Sequence, residues 1–557
     1  MSAKKKTKTK QISNTKPIFD PATARKDSKY WVNMIMSIYA FLVVCVIFAG
    51  LALFIPDAYY DIVTWKFVFI YNATKIIAIF FGLLLLVYFG GRGMSARDIL
   101  RYKPIAGIDL AMLLFFFAVG ISYLCSDYKF VEDPEVYWPA QGAYYGTVGW
   151  YIGFLLFAMC VFLYFLVAHF LNYSKWVLVP IVASSSLVFL WGIFNRFGVS
   201  LFVFDGWDTG FLASIGNINW YCGYMSVLLP ITVGLYWYKG AQAGTFNRLL
   251  YATLVLVGFL IAVINGSDSG IFALVIMFVF LGAFSFSDEK RLQTFAELVL
   301  IFGLSNMAMT IIKEKLPKIL TYTGQFTAIF HKLIFAELVL GIAVVFFVFA
   351  LLFAKGVIKY PEFLRRVGGT LVVGIACIGI FGALALIIIN TKKGGTLPVI
   401  GQNKFFLFDD YWGSHRGIIW RAGIMEFKSL SPLRKLIGVG PDCFYDATTD
   451  NPELFAIISK HYPDMRLTNC HNAFLTLLND TGIFGVLTFG GVLFMTCKSL
   501  LAKLDDHPEV MMVPLSIVMY LANNVVSFQT ITSTPFLFMV IAVGAAMLVS
   551  IERQENR

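Results

Sequence analysis

The sequence predicts an all-α integral membrane protein of about fourteen transmembrane helices, with one large external loop between helices 11 and 12. Three observations predict it. Of 557 residues, 59% are hydrophobic, only 14% are charged and 55 are Phe, and the mean hydropathy is +0.76. A water-soluble core cannot hide that much apolar surface, so the solvent must be largely lipid. The apolar residues also come in repeated runs of roughly 17 to 25, long enough to cross a hydrocarbon core as helices. Finally, basic residues crowd the N-terminal tail and short loops such as GRGMSARDILRYK and KYPEFLRRV, the pattern of the positive-inside rule.

In chain order, residues 1–30 form a polar arm rich in Lys (KKKTKTK, then ARKDSK). A cleavable signal has a short basic region, so this arm is expected to stay cytoplasmic ahead of an uncleaved first helix. Spans are predicted over 31–55, 67–90, 108–126, 149–170, 176–194, 217–237 and 249–265. They continue over 270–287, 294–312, 333–354, 368–390, 474–498, 509–528 and 535–551. Alternating these from a cytoplasmic arm puts the basic loops GRGMSARDILRYK and KYPEFLRRV inside, with the C-terminal tail 552–557. The acidic, aromatic DYKFVEDPEVYWPAQGAYYG falls outside. The expected organisation is therefore helices 1–11 over 31–390, a large extracytoplasmic loop over 391–470, and helices 12–14 over 471–551. The expected location is the plasma or inner membrane, with both termini cytoplasmic. The net charge of +11 follows from this distribution, and no nucleic-acid partner is expected. The eight cysteines contain no CxxC and no metal-ligand spacing, and most sit in apolar runs as small core residues. Cys443 and Cys470 both fall in or beside the external segment, which leaves a disulfide between them open.

The 391–470 segment holds some ten Lys or Arg, more than an external loop needs, and long ordered loops commonly carry function. Within it, GSHRGIIWRAGIMEFKSL reads as an amphipathic helix. Ser414 is expected to cap it, and Ile418, Ile419, Ile424, Met425 and Phe427 form the apolar stripe. Arg416 falls in the first turn, where free N–H groups and the helix dipole already favour an anion. A guanidinium there suits a phosphate, although a surface pairing with Asp409 or Asp410 accounts for it equally. Gly438, Gly440 and Pro441 make a structural corner. His471 stands where polar sequence becomes apolar, a place where an imidazole can exchange protons near neutral pH or simply serve as an interface residue. Asp480 lies nine positions on, about 13 Å deeper on a helix, too far to hold His471, and reads as a structural or supporting acid.

Taken together these segments resemble the O-antigen ligase and O-antigen polymerase superfamily of bacterial polytopic membrane glycosyltransferases. The resemblance rests on His471-Asn472, Leu475, Asp480 (where Glu is usual), Gly482 and Gly485. Before these come Arg416 with Trp420, then Gly438, Gly440 and Pro441, and upstream Gly216, Asn217 and Asn219. The ordered set spans about 215 to 550, and earlier residues match only as generic spans. The resemblance implies an inverting, metal-independent transfer of a glycan from a polyprenyl diphosphate carrier to an acceptor hydroxyl on the outer face of the membrane. His471 would take the acceptor proton and Arg416 would hold the leaving diphosphate. The acceptor would be a glycan, lipid or cell-wall polymer, and no cofactor is expected. Family members commonly carry a second arginine where this chain reads NGSDSGIFAL, with Asp268 and Ser269. Arg196, Arg421 or Arg466 would then supply that charge at the substrate, with Trp420 and Asn472, or the donor differs. The alternative class is a lipid-linked oligosaccharide flippase or other polytopic transporter.

Overall fold

The computed structural model describes residues 28–56, 61–90, 105–130, 142–202, 210–240, 244–317, 325–463 and 466–556. Most of the N-terminal arm, the basic loop 91–104 and the middle of the acidic loop (131–141) lie outside the described residues. The first half comprises α1 (Ser28–Cys45), α2 (Ile62–Gly90), α3 (Ala106–Cys125), α4 (Phe154–Phe170), α5 (Leu178–Arg196), α6 (Ile218–Lys239) and α7 (Thr245–Ile264). There follow α8 (Asp268–Ser285), α9 (Glu289–Lys315), α10 (Gln325–Phe330), α11 (Leu333–Ala354) and α12 (Glu362–Lys392). A two-residue hairpin, β1 (Phe211–Leu212) with β2 (Gly216–Asn217), leads into α6. The all-α class holds, and each of the fourteen predicted spans falls on a helix. Twelve described helices are long and apolar enough to cross a membrane. Two predicted spans gave shorter helices. Residues 142–153 are turns, with Gly142, Gly146 and Gly149 at positive φ, so α4 begins only after Gly153. Likewise α18 (Met512–Asn524) ends early, and beyond it Thr530, Thr532 and Ser533 bond one another in a turn.

Burial sorts the spans. The apolar windows of α6 and α19 (Thr534–Glu555) are 83% and 94% buried, whereas that of α12 is not buried at all. Accordingly α18 packs on α6 and α8, and α19 packs on α4. Exposed Ile375, Ile378 and Phe381 on α12 face the region where lipid is the solvent.

Between Lys392 and Ala473 the chain is not a plain loop. It folds into a lobe of α13 (Trp412–Ser429), α14 (Pro432–Ile437), α15 (Phe444–Asp450) and α16 (Pro452–His461). Proline in the first turn of α14 and α16, with Ser431 and Asn451 as caps, sets where those helices start. Ile418, Ile419, Ala422, Phe444, Leu454 and Cys470 form the lobe's own core. Cys443 belongs to a different cluster with Ala143 and Val439. Both thiols are free, so the disulfide left open by the sequence is not formed.

The lobe is seated on α17 (Ala473–Leu501), which breaks at Gly482 (φ 68°, ψ −170°). The Gly438–Pro441 turn docks at that break: Val439 N–H donates to Asn479 O (3.0 Å) and Gly440 N–H to Asp480 O (2.9 Å). Ser126 and Ser122 of the α3 end donate to Val439 O and Asp480 O, each at 2.6 Å. A Cβ on Gly438 would meet the Asp480 carbonyl, and one on Gly482 would meet the Leu436 backbone. The two glycine motifs are thus two halves of one joint.

Candidate functional site

His471 sits just before α17 with φ 46°, a left-handed conformation uncommon outside glycine. Asn469 Oδ1 accepts its N–H (3.0 Å). Asn472 Oδ1 accepts the N–H groups of Phe474 and Leu475, both at 3.0 Å, and so caps α17. The structure therefore gives Asn472 a capping role. The imidazole stands edge-to-face on Phe528 with centroids 4.9 Å apart. Burial, then the positive charge of Arg416, pushes its pKa down to about 4, so at neutral pH the ring is an uncharged base.

Arg416 arrives from the other end of the lobe. The expected Ser414 cap is absent: no side chain caps α13, and Gly413, Ser414 and His415 take φ of 58°, 60° and 71°. The chain reverses there so that Ile418 N–H reaches the Asp410 carbonyl (3.2 Å). Gly417 packs against Asp409 where a Cβ has no room. Backbone carbonyls thus do the work expected of the serine. The guanidinium donates from Nε to Val526 O (2.9 Å) and from Nη1 to Gly413 O (2.5 Å). Burial lowers its pKa, and the charge on Asp268 opposes that shift; a guanidinium remains a cation throughout. The alternative pairing with Asp409 or Asp410 does not occur. Asp410 is held by Arg421 (2.8 Å) and lies 3.6 Å from His461 Nε2.

Asp268 opens α8 beside the start of α6. Asn217 Oδ1 caps α6 by accepting Asn219 N–H (2.8 Å). Asn219 Oδ1 accepts the Ser267 hydroxyl (2.8 Å), and the Ser267 and Ser269 hydroxyls lie 3.0 Å apart. The GNIN and NGSDS segments therefore meet. Asp268 Oδ1 takes Thr327 N–H (2.9 Å) and its hydroxyl (3.1 Å). Arg196, 3% exposed, donates from Nε to Ile264 O (2.8 Å), next to the same turn. Of the arginines considered for the missing positive charge, Arg196 is the one beside the NGSDS turn. Arg421 pairs with Asp410, and Arg466 lies over the Tyr445 ring at 5.6 Å. Trp420 clusters with Trp412 (5.3 Å) and Phe408 (6.3 Å).

Where the lobe meets α17 lies an acidic pair. Asp480 Oδ2 accepts Asp442 N–H (3.2 Å). Asp442 Oδ2 accepts Thr147 N–H (2.8 Å) and Ile152 N–H (3.0 Å), tying the lobe to the turn before α4. Burial raises the Asp442 carboxyl to about 7. A 20 Å³ cavity, about one water in size, touches both acids, Asn469, Thr476 and Phe528. Gly485 lies one turn below, against Thr481. Sequence reasoning missed Asp442 and the Val526–Phe528 connection. Asp442 carried a signal, an acid directly after the Gly-Val-Gly-Pro turn. Val526 offers only a backbone carbonyl, which no residue pattern reveals.

An α-helical multi-pass membrane protein results, with a lobe seated on the first half of α17 and the end of α3. Residues 334–490, from α11 through the lobe into α17, match the family model described as O-antigen ligase, which supports membership of that family. No curated protein matches the chain.

Proposed function

We propose that the chain is an inverting glycosyltransferase of surface-polysaccharide assembly, acting on a polyprenyl-diphosphate-linked glycan at the outer face of the plasma or inner membrane. The observation that carries this reading is convergence. Arg416 and His471, 55 residues apart in sequence, are both seated on the 526–528 connection, and the charge of one shifts the other. The acceptor hydroxyl attacks the anomeric carbon from the face opposite the diphosphate, and the carbon–oxygen bond to phosphate breaks. The hydroxyl proton passes to His471, and the leaving diphosphate keeps the electron pair of the broken bond, its negative charge held by Arg416. Preformed donors of this kind stabilise charge where it develops. In this reading the charge work falls to arginine, so no divalent metal is required.

Reconstituted protein supplied with lipid-linked glycan tests this. Turnover should survive EDTA treatment, and His471→Ala should lower the rate about 10² to 10⁴-fold at unchanged membrane content. Near wild-type turnover by His471→Ala would make it a structural interface residue. Loss with EDTA that Mg²⁺ or Mn²⁺ restores would reject the arginine account. Export of glycan with its carrier linkage intact would favour a transporter.

A further inference from the structure

A second cavity lies in the lobe between α15 and α16, about 190 Å³ in volume. That is room for roughly six waters, the order of size of one sugar ring. Tyr445 and Tyr462 supply aromatic walls, and Thr448, Thr449 and Ser459 supply hydroxyls, with Arg466 also in the lining. Thr448 donates its proton to Phe444 O (2.9 Å) and Thr449 donates to Tyr445 O (2.8 Å). Their oxygens are thereby left as acceptors for a ligand's hydroxyl protons. Arg466 is positioned over Tyr445 at 5.6 Å, and its charge is answered within the protein by Asp446, so the ligand need not be an anion. A pyranose has the matching character, with an apolar C–H face for a ring and hydroxyls around its edge. The cavity also borders the candidate site. Tyr462 is one wall, its ring centroid lies 5.8 Å from that of His415, and its phenol senses the Arg416 charge.

We propose that this cavity is a glycan subsite that holds one neutral pyranose, one aromatic ring away from the diphosphate-binding arginine. The proposal rests on the glycosyltransferase reading above. The sugar can belong to the donor's glycan chain or to the acceptor, and kinetics separate the two. In the full-length reconstituted protein, Tyr445→Ala removes a stacking face and Ser459→Trp fills the space. Each should raise one KM on the order of tenfold while kcat stays within about twofold. A rise in the KM for lipid-linked glycan assigns the donor chain, and a rise in the KM for acceptor assigns the acceptor. A separate binding measurement keeps the subsite testable if no turnover is found, an outcome that counts against the transfer reading alone. Saturation transfer from the detergent-solubilised protein to methyl α-glucopyranoside and methyl β-N-acetylglucosaminide should be strong in wild type and in His471→Ala. It should be lost in Ser459→Trp. Unchanged KM values, or in the absence of turnover a saturation-transfer signal indifferent to Ser459→Trp, would overturn the subsite.

Discussion

His471 is aimed by its own backbone: with φ at 46°, the ring goes where Asn469 and the capped start of α17 send it, against Phe528. Its neutral state follows from burial and from Arg416. For a base, a depressed pKa means the active, unprotonated form persists down to lower pH. The acid limb of kcat/KM, which reports the free enzyme, should therefore fall nearer pH 4 than 6.5. Arg416 makes two separable contributions, a fork and a charge. Arg416→Lys keeps a charge but loses the bidentate geometry, so its rate should drop about 10² to 10³-fold, almost as far as Arg416→Ala, with the acid limb nearly in place. Arg416→Gln removes the charge that depresses His471, and its residual activity should show the limb displaced upward in pH. A limb that ignores the charge at 416 would mean that the two residues do not share a site.

The element that decides how the lobe sits is the joint between the Gly438–Pro441 turn and the break in α17. Gly438 has φ 78° and ψ −174°, and Gly482 has φ 68° and ψ −170°, a region essentially confined to glycine, where another residue costs on the order of 1–3 kcal/mol. The opposing backbones add steric conflict, since each missing Cβ would strike the other segment. Gly438→Ala and Gly482→Ala should each lower the melting temperature of the purified protein by several degrees or prevent accumulation. Gly490→Ala, on the same helix with open space around it, should melt like wild type. Equal behaviour of all three would mean that the joint does not hold the lobe. Each glycine motif was visible in the sequence as a corner or a signature. Their pairing was not, because it is made by backbone N–H and C=O groups across about forty residues, and no side-chain pattern records it. Ser414 misled for a related reason: a serine before an apolar stripe reads as a cap, but here the Asp410 carbonyl takes the N–H of the opening turn.

At the scale of the molecule, the apolar runs were legible because a lipid-facing helix must be apolar along its whole length. The limits of legibility were the places where an apolar run does something else. Residues 509–528 read as one span, yet the chain leaves the helix after Asn524, and Val526 and Phe528 become the shared support of Arg416 and His471. Everything proposed for those two residues requires the lobe to face the side where lipid-linked glycans are consumed. The basic loops predict that orientation, with both termini cytoplasmic, and the even number of apolar runs agrees with it. Thr396 is exposed at the start of the lobe segment, so its substitution by cysteine should not disturb the fold. In a background with the eight native cysteines replaced, Thr396→Cys should react with an impermeant maleimide in intact cells. Ser2→Cys should react only after permeabilisation. The reverse pattern would put the lobe in the cytoplasm, away from an extracytoplasmic acceptor, and would remove the basis for assigning His471 and Arg416 to glycan transfer.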